Sequence, residues 1–137
     1  MNEVSATFRR EVGALPEIFD LVGRFFSGNE GEQKLRHTVE FVLEEIFTNC
    51  VKYNAEGRCG IEIALAHEGP ELRVTIVDRD SERFDIRTDA PVVDPNLPLK
   101  QRTPGRLGVH LVRKLMDRVE YDYGGRVSTI TLFKTME

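Results

Sequence analysis

The sequence contains no tryptophan and little cysteine or histidine, with two cysteines and three histidines among 137 residues. Cys50 and Cys59 do not form a CxxC pair, and Cys50 falls within an apolar helical pattern. This is too little cysteine for a disulfide framework, so we expect structural thiols in a reducing compartment. No spacing of His, Cys, Asp and Glu suggests a zinc site.

Long hydrophobic runs are also lacking. No window of the sequence approaches 18 apolar residues, and residues 1–5 hold no apolar segment of the signal-peptide kind. The net charge of −4 argues mildly against a nucleic-acid-binding surface. We therefore expect a cytoplasmic protein that neither enters a membrane nor binds nucleic acid directly.

What is present is the composition of an ordinary folded domain, 40% hydrophobic and 31% charged. The length predicts one domain, residues 1–137, which can bury a core without disulfides or metals. The order of the predicted elements favours an α+β fold, with helices on one face of a mainly antiparallel sheet. These elements are a strand or extended arm at 4–10, helices at 15–26, 32–53 and 107–118, and strands at 60–66, 72–78, 119–123 and 127–133.

One segment, residues 84–106, lacks clear periodicity. Long loops without secondary structure are uncommon in small domains and are usually functional lids or linkers. Strand and helix patterns resume after this segment, which favours a lid. Four of the six prolines lie in it, namely Pro91, Pro95, Pro98 and Pro104.

The 32–53 helix carries a polar stripe formed by Glu45, Asn49 and Lys52, which lie close together at about 100° of rotation per residue. The amide oxygen of Asn49 is a hard neutral ligand for Mg²⁺, and a carboxylate one turn away can accept a proton. Alone, the pattern also fits an amphipathic helix with solvated polar residues. The adjoining apolar face, expected to point into the core, consists of Val39, Val42, Leu43, Ile46 and Cys50.

Two further motifs flank the predicted lid. Asp78 ends a predicted strand, where a carboxylate can accept a hydrogen bond from an exocyclic amine such as that of adenine, although an isolated Asp often only makes a turn. Downstream, Gly105 and Gly108 open a helix, where backbone N–H groups can bind phosphate. A GxxG alone is weak evidence, and no P-loop motif is present.

Together these motifs resemble the GHKL ATPase superfamily and, within it, the anti-sigma-factor serine/threonine kinases of bacterial partner-switching pathways. The resemblance covers essentially the whole chain. It implies a two-layer α/β sandwich of the GHKL ATPase type that binds ATP between the long helix and the lid. The segments that carry it are residues 45–52, Asp78 with Phe84-Asp85, residues 105–117, and residues 119–121 with 129–132.

The resemblance also implies roles for individual residues. Asn49 would hold Mg²⁺ against the phosphates of ATP, Glu45 would be the general base for a substrate serine hydroxyl, and Asp78 would read the adenine amine. The remaining implied cofactor-binding residues are Lys52, Asp80, Phe84, Gly105, Arg106, Leu107, Gly108, Val109, His110 and Thr129.

The partners that the resemblance implies are all proteins. The substrate would be a STAS-type anti-anti-sigma protein, phosphorylated on Ser or Thr. The second partner would be a sigma factor or another regulatory target. A homodimer is also expected.

One departure from the family pattern concerns Asp80, which stands where the family normally has glycine. If this position requires a left-handed backbone, a residue other than glycine costs about 1–2 kcal/mol, with Asp among the better tolerated. That is roughly a tenfold loss of affinity. The departure keeps open a binding module that has lost phosphotransfer. A second alternative is a GHKL clamp driven by ATP hydrolysis, although that class usually carries transducer domains.

Overall fold

A computed structural model describes residues 3–27, 32–53, 59–81 and 106–135, apart from the side chains of Tyr53 and of residues 106–110. One sheet runs through these ranges, and each of its strands is antiparallel to its neighbours. The strands are β1 (Glu3–Phe8), β2 (Ile61–Glu68), β3 (Glu71–Arg79), β4 (Arg118–Gly124) and β5 (Val127–Thr135). Their order across the sheet is β1-β2-β3-β5-β4.

Three α-helices accompany the sheet in the described ranges: α1 (Leu15–Phe25), α2 (Gln33–Tyr53) and α3 (Arg106–Leu115). A single 3₁₀ turn, Val12–Ala14, leads directly into α1. Pro16 sits in the first turn of α1, where its missing N–H would have no intrahelical partner in any case. None of the helices among the described residues is long and apolar enough to cross a membrane.

The core lies between the helices and one face of the sheet. On β3, buried and half-buried residues alternate, so Leu72, Val74 and Ile76 share the buried face with Asp78. Large side chains of α1 and α2 cover this face and are themselves fully buried. They include Ile18, Leu21, Phe25, Leu43, Ile46 and Phe47.

The β4–β5 hairpin turns at two residues with positive φ, Gly125 at 58° and Arg126 at 62°. Positive φ at both central residues is the type I′ geometry, whose twist matches that of the paired strands. The hairpin therefore turns tightly and brings Arg126 close to the end of β3, where Ser81 N–H donates to its carbonyl at 2.8 Å.

The predicted fold class is confirmed: the sheet is antiparallel and its buried face is covered by helices. The third helix ends at Leu115 instead of residue 118, because strand pairing begins earlier than predicted. Asp117 N–H already donates to the carbonyl of Phe133 at 2.9 Å, and Arg118 opens β4. The predicted lid lies outside the described residues, except for Arg106, which starts α3.

Candidate functional site

The three predicted polar residues lie in the last turns of α2 and differ in solvent exposure. Asn49 is buried at 8% exposure, Glu45 is half-buried, and Lys52 is exposed. Since the buried residues of α2 face the sheet, this gradient places the polar stripe at the edge of the core, as predicted.

The amide of Asn49 is incompletely satisfied. Its Nδ2 atom is buried and has no hydrogen-bond partner in the part of the chain that the structure describes. Leaving a buried polar group unpaired costs about 1–3 kcal/mol, so native proteins rarely do it without a reason. Rotation of the amide by 180° would put its oxygen in the same place, where it could bind a cation. A bound ligand would satisfy this group.

Glu45 lies one helical turn before Asn49. Partial burial, followed by the negative charge of Glu44, raises the pKa of the Glu45 carboxyl, while the positive charge of Lys52 opposes the shift. A carboxylate with a raised pKa accepts a proton more readily at neutral pH. Glu45 is therefore suited to the general-base role that the sequence predicts.

Asp78 lies near the end of β3 on the buried face of the sheet, directly opposite Ile61 of β2 and Ser128 of β5. Its carboxylate forms an ion pair with Arg10, and both side chains are only 6% exposed. Cys50, the residue after Asn49, lies beside the same carboxylate. The predicted acceptor is therefore held inside the protein and lies next to the end of α2 that carries Asn49.

Cys50 is a neutral thiol in this arrangement. Burial, followed by the negative charge of Asp78, raises the pKa of the Cys50 thiol far above its usual range, although the positive charge of Arg10 opposes the shift. The thiol therefore stays protonated. This agrees with the expectation of a structural cysteine.

A polar network anchors the chain where it leaves β3. Ser81 and Ser128 are both buried, and their hydroxyl oxygens are 2.9 Å apart in a hydrogen bond. The hydroxyl oxygen of Tyr121 lies 3.0 Å from that of Ser128, and Tyr123 donates to the carbonyl of Ser81 at 2.8 Å. Ser81, which follows the end of β3, is thus held by hydrogen bonds to β4 and β5.

Asp80 has a left-handed backbone, with φ at 59°, so the condition under which a residue other than glycine is costly at this position is met. Its carboxylate accepts a hydrogen bond from Arg126 Nε at 3.1 Å, in an ion pair at the protein surface. Part of the added negative charge is therefore neutralised by the β4–β5 turn.

Thr129, predicted as a binding residue, lies on the face of the sheet opposite to Asp78, since it pairs with Val77. We replace it in the candidate site by Ser128, the residue across from Asp78. Strand alternation could have found this, because Ser128 shares a face with the apolar Ile130 and Leu132. Arg10 was also missed, and no local signal distinguishes it from its neighbour Arg9.

The remaining predicted residues form two groups. Phe84 and Gly105 lie outside the described residues. Arg106 begins α3, so its first turn presents backbone N–H groups without intrahelical acceptors. The predicted residues in this turn and the next, whose backbone alone is described, are Arg106, Leu107, Gly108, Val109 and His110.

The residues at this end of the molecule fit a magnesium–nucleotide ligand. The incompletely satisfied amide of Asn49 supplies a hard oxygen, Glu45 supplies a half-buried carboxylate, and Asp78 supplies an acceptor for an exocyclic amine. All three lie on elements that pack into the core, which holds them in place.

An α2 helix with a carboxylate and an amide one turn apart, packed on an antiparallel sheet with a buried Asp at a strand end, defines a GHKL-type domain. Residues 8–134 match the histidine kinase-like ATPase domain. The chain belongs to this family.

Several solved structures share this fold. The crystal structure of the RsbU and RsbW domains of Rv1364c from Mycobacterium tuberculosis matches with a TM-score of 0.69 and 13% identity, over 98% of this chain and 32% of that one. A chain of the SiaB–SiaC complex from Pseudomonas aeruginosa matches with a TM-score of 0.64 and 16% identity, over 97% of this chain and 88% of that one. The histidine kinase AdeS from Acinetobacter baumannii matches with a TM-score of 0.53 and 17% identity, over 100% of this chain and 70% of that one.

Among curated proteins, the chain is similar to the ribosomal protein uS12 methylthiotransferase RimO of Parabacteroides distasonis. The two are 29% identical over 133 residues, which cover 92% of this chain. The chain spans 31% of the length of that relative.

Proposed function

We propose that this chain is an ATP-dependent protein serine/threonine kinase that also acts as an anti-sigma-type binding regulator. Its substrate would be a STAS-type antagonist in a bacterial partner-switching pathway. The observation that carries the proposal is the placement of Glu45, with its raised pKa, one turn before the buried and incompletely satisfied amide of Asn49. Family membership and the likeness to the RsbW-containing structure support it.

In this proposal each side chain has one task. Magnesium ATP, when bound, supplies the phosphoryl group to be transferred. Asn49 binds the metal through its amide oxygen, and Asp78 accepts a hydrogen bond from the adenine amine. Glu45 takes the proton from the substrate serine hydroxyl, and Lys52 lies on the same stripe, where its charge attracts phosphate.

Backbone groups would complete the site. The first turn of α3, which begins at Arg106, offers N–H groups to phosphate oxygens, and the positive end of the helix dipole favours that contact. Gly105 and Phe84 would belong to the lid. The protein would work in the cytoplasm as a homodimer and hold a sigma factor or another regulatory target until the antagonist displaces it.

Phosphotransfer to a STAS-domain protein tests the proposal directly. Purified chain, magnesium ATP and candidate STAS proteins are incubated, and the gain of one phosphoryl group is followed by intact-protein mass. We expect Glu45→Gln to bind ATP while transfer falls by about 10²–10⁴-fold, the usual contribution of a general base. Glu44→Gln is the matched control, because Glu44 is exposed and adjacent; it should retain transfer.

Two results would contradict the proposal. Equal transfer rates for the Glu45 and Glu44 variants would remove Glu45 from the reaction. Failure of the wild-type chain to bind ATP at millimolar concentration would favour a protein-binding module without phosphotransfer, in which the left-handed Asp80 weakens the nucleotide site.

A further inference from the structure

Arg10 lies just after β1 and is buried at the candidate nucleotide site. Besides the ion pair with Asp78, its guanidinium donates to three backbone carbonyls. These are the carbonyls of Cys50 at 3.3 Å, Cys59 at 3.2 Å and Arg79 at 3.2 Å. One side chain therefore joins the last turns of α2, the residue that leads into β2, and the end of β3.

The hydrogen bonds of Arg10 leave it little capacity to bind a ligand itself. A guanidinium has five N–H donors, and the contacts above use four of them, one from Nε, one from Nη1 and two from Nη2. The carboxylate of Asp78, by contrast, has two oxygens, and Arg10 contacts Oδ1. Arg10 can therefore act on a nucleotide mainly through Asp78.

The orientation of the Asp78 carboxylate decides which purine it can accept. A carboxylate only accepts hydrogen bonds, so an oxygen held towards the 6 position pairs with the 6-amino group of adenine and repels the 6-oxo group of hypoxanthine. A carboxylate that is free to turn away loses this selection.

The groups that face Asp78 show which one controls this orientation. Among the described residues they are Arg10 after β1, Cys50 on α2, Ile61 on β2 and Ser128 on β5. Arg10 forms an ion pair with the carboxylate and is itself fixed by contacts to three carbonyls, so it sets the direction in which the carboxylate is held.

We propose that Arg10 is a positioning residue for base selection: it holds the Asp78 carboxylate in a fixed orientation as an acceptor and thereby makes the site select 6-amino over 6-oxo purine nucleotides. The inference rests on the nucleotide site of the proposed function.

The test compares the dissociation constants of Mg-ATP and Mg-ITP, measured by calorimetry on the full chain. The wild type should bind ATP at least about tenfold more tightly than ITP, since one hydrogen bond to a charged group is lost and a repulsion is added. In Arg10→Gln the ratio should fall towards one, and Arg10→Lys should restore part of it. Arg9→Gln is the matched control, because Arg9 is the neighbouring residue and forms exposed ion pairs with Glu11 and Glu17; its ratio should stay unchanged.

Asp78→Asn provides a second route to the same answer, because an amide can both donate and accept and should bind the two nucleotides with nearly equal affinity. If Arg10→Gln does not fold, Asp78→Asn and Arg10→Lys still test the inference. Circular dichroism establishes that each variant is folded before its ratio is compared.

The outcomes separate this inference from the proposed function. If Arg10→Gln weakens ATP and ITP by the same factor, Arg10 has a structural role only and the inference is wrong. If the wild type binds both nucleotides equally, the inference also fails, but the nucleotide site stands. If the wild type binds neither, the proposed function fails and the inference fails with it.

Discussion

The two ends of the interface between helices and sheet differ in chemistry. Over most of its area, α1 and α2 meet the sheet through fully buried apolar side chains such as Leu43 and Phe47. At one end, the buried residues are polar or charged: Asn49, Asp78, Ser81 and Ser128. The apolar part is satisfied without a ligand, whereas the Asn49 amide of the polar part lacks a partner among the described residues. The difference shows how one packed interface can provide both stability and a candidate binding site.

The largest expected effect tests the apolar end. Leu43→Ala should lower the free energy of unfolding by about 3–5 kcal/mol, because Leu43 is fully buried and the surrounding helices cannot close the cavity completely. Urea unfolding followed by circular dichroism measures the change. Leu115→Ala on α3 is the matched control: it removes the same atoms from a side chain that is 37% exposed and should cost clearly less. Equal costs would mean that the α2 face does not form the main core.

A second substitution tests the polar end by making it resemble the apolar one. Asn49→Leu should leave the free energy of unfolding without nucleotide unchanged or raise it by up to about 2 kcal/mol, because it removes an unpartnered buried amide. Magnesium ATP at about 100 times its dissociation constant should stabilise the wild type by about 2.7 kcal/mol and the variant not at all.

Thermal shift measurements with and without magnesium ATP give both quantities for Asn49→Leu. Thr48→Ala, the change at the preceding residue of α2, should keep the shift produced by the nucleotide. A large loss of stability in Asn49→Leu without nucleotide would show that Asn49 is a structural residue, and the contrast between the two ends would then disappear.

The end of β3 permits a backbone test of intermediate size. Asp80→Ala should cost about 1–2 kcal/mol relative to Asp80→Gly, because only glycine adopts the left-handed conformation without strain. Asp80→Gly itself should lie within about 1 kcal/mol of the wild type, since the relief of strain is offset by loss of the surface ion pair with Arg126. Chemical denaturation of the three proteins side by side measures these differences. If alanine were as stable as glycine, the backbone at this position would not be left-handed in solution.

The smallest expected effect concerns pH. The pKa of Glu45 is raised in the folded chain, so its ionised form destabilises the fold, and stability is lost as the pH rises through the folded pKa. Glu45→Gln should therefore be slightly more stable than the wild type at neutral pH. The gain should vanish below about pH 3.5, where carboxyl groups are mostly protonated. Midpoints of urea unfolding at both pH values provide the measurement, and a gain independent of pH would point to another cause.

The sequence predicts the parts of this molecule that depend on local patterns. The apolar period of α2 indicates both the helix and the edge position of Asn49. The departure from the family pattern singles out Asp80, but its left-handed backbone is known only from the structure. The environment of Asp78 could not be predicted in the same way, since Arg10 lies 68 residues away in sequence and meets it only through the sheet. The choice between Ser128 and Thr129 depends on strand register, because a shift of one residue reverses the two faces.

The two cysteines, finally, allow local opening of the protein to be measured by their rates of chemical labelling. Cys59 is exposed, whereas Cys50 is half-buried and its thiol is protonated. Because the thiolate is the reactive species, an alkylating reagent should label Cys59 first and react with Cys50 mainly when the end of α2 separates from β3. The labelling rate of Cys50 thus measures how often the protein without ligand opens locally between α2 and β3, and no probe has to be introduced.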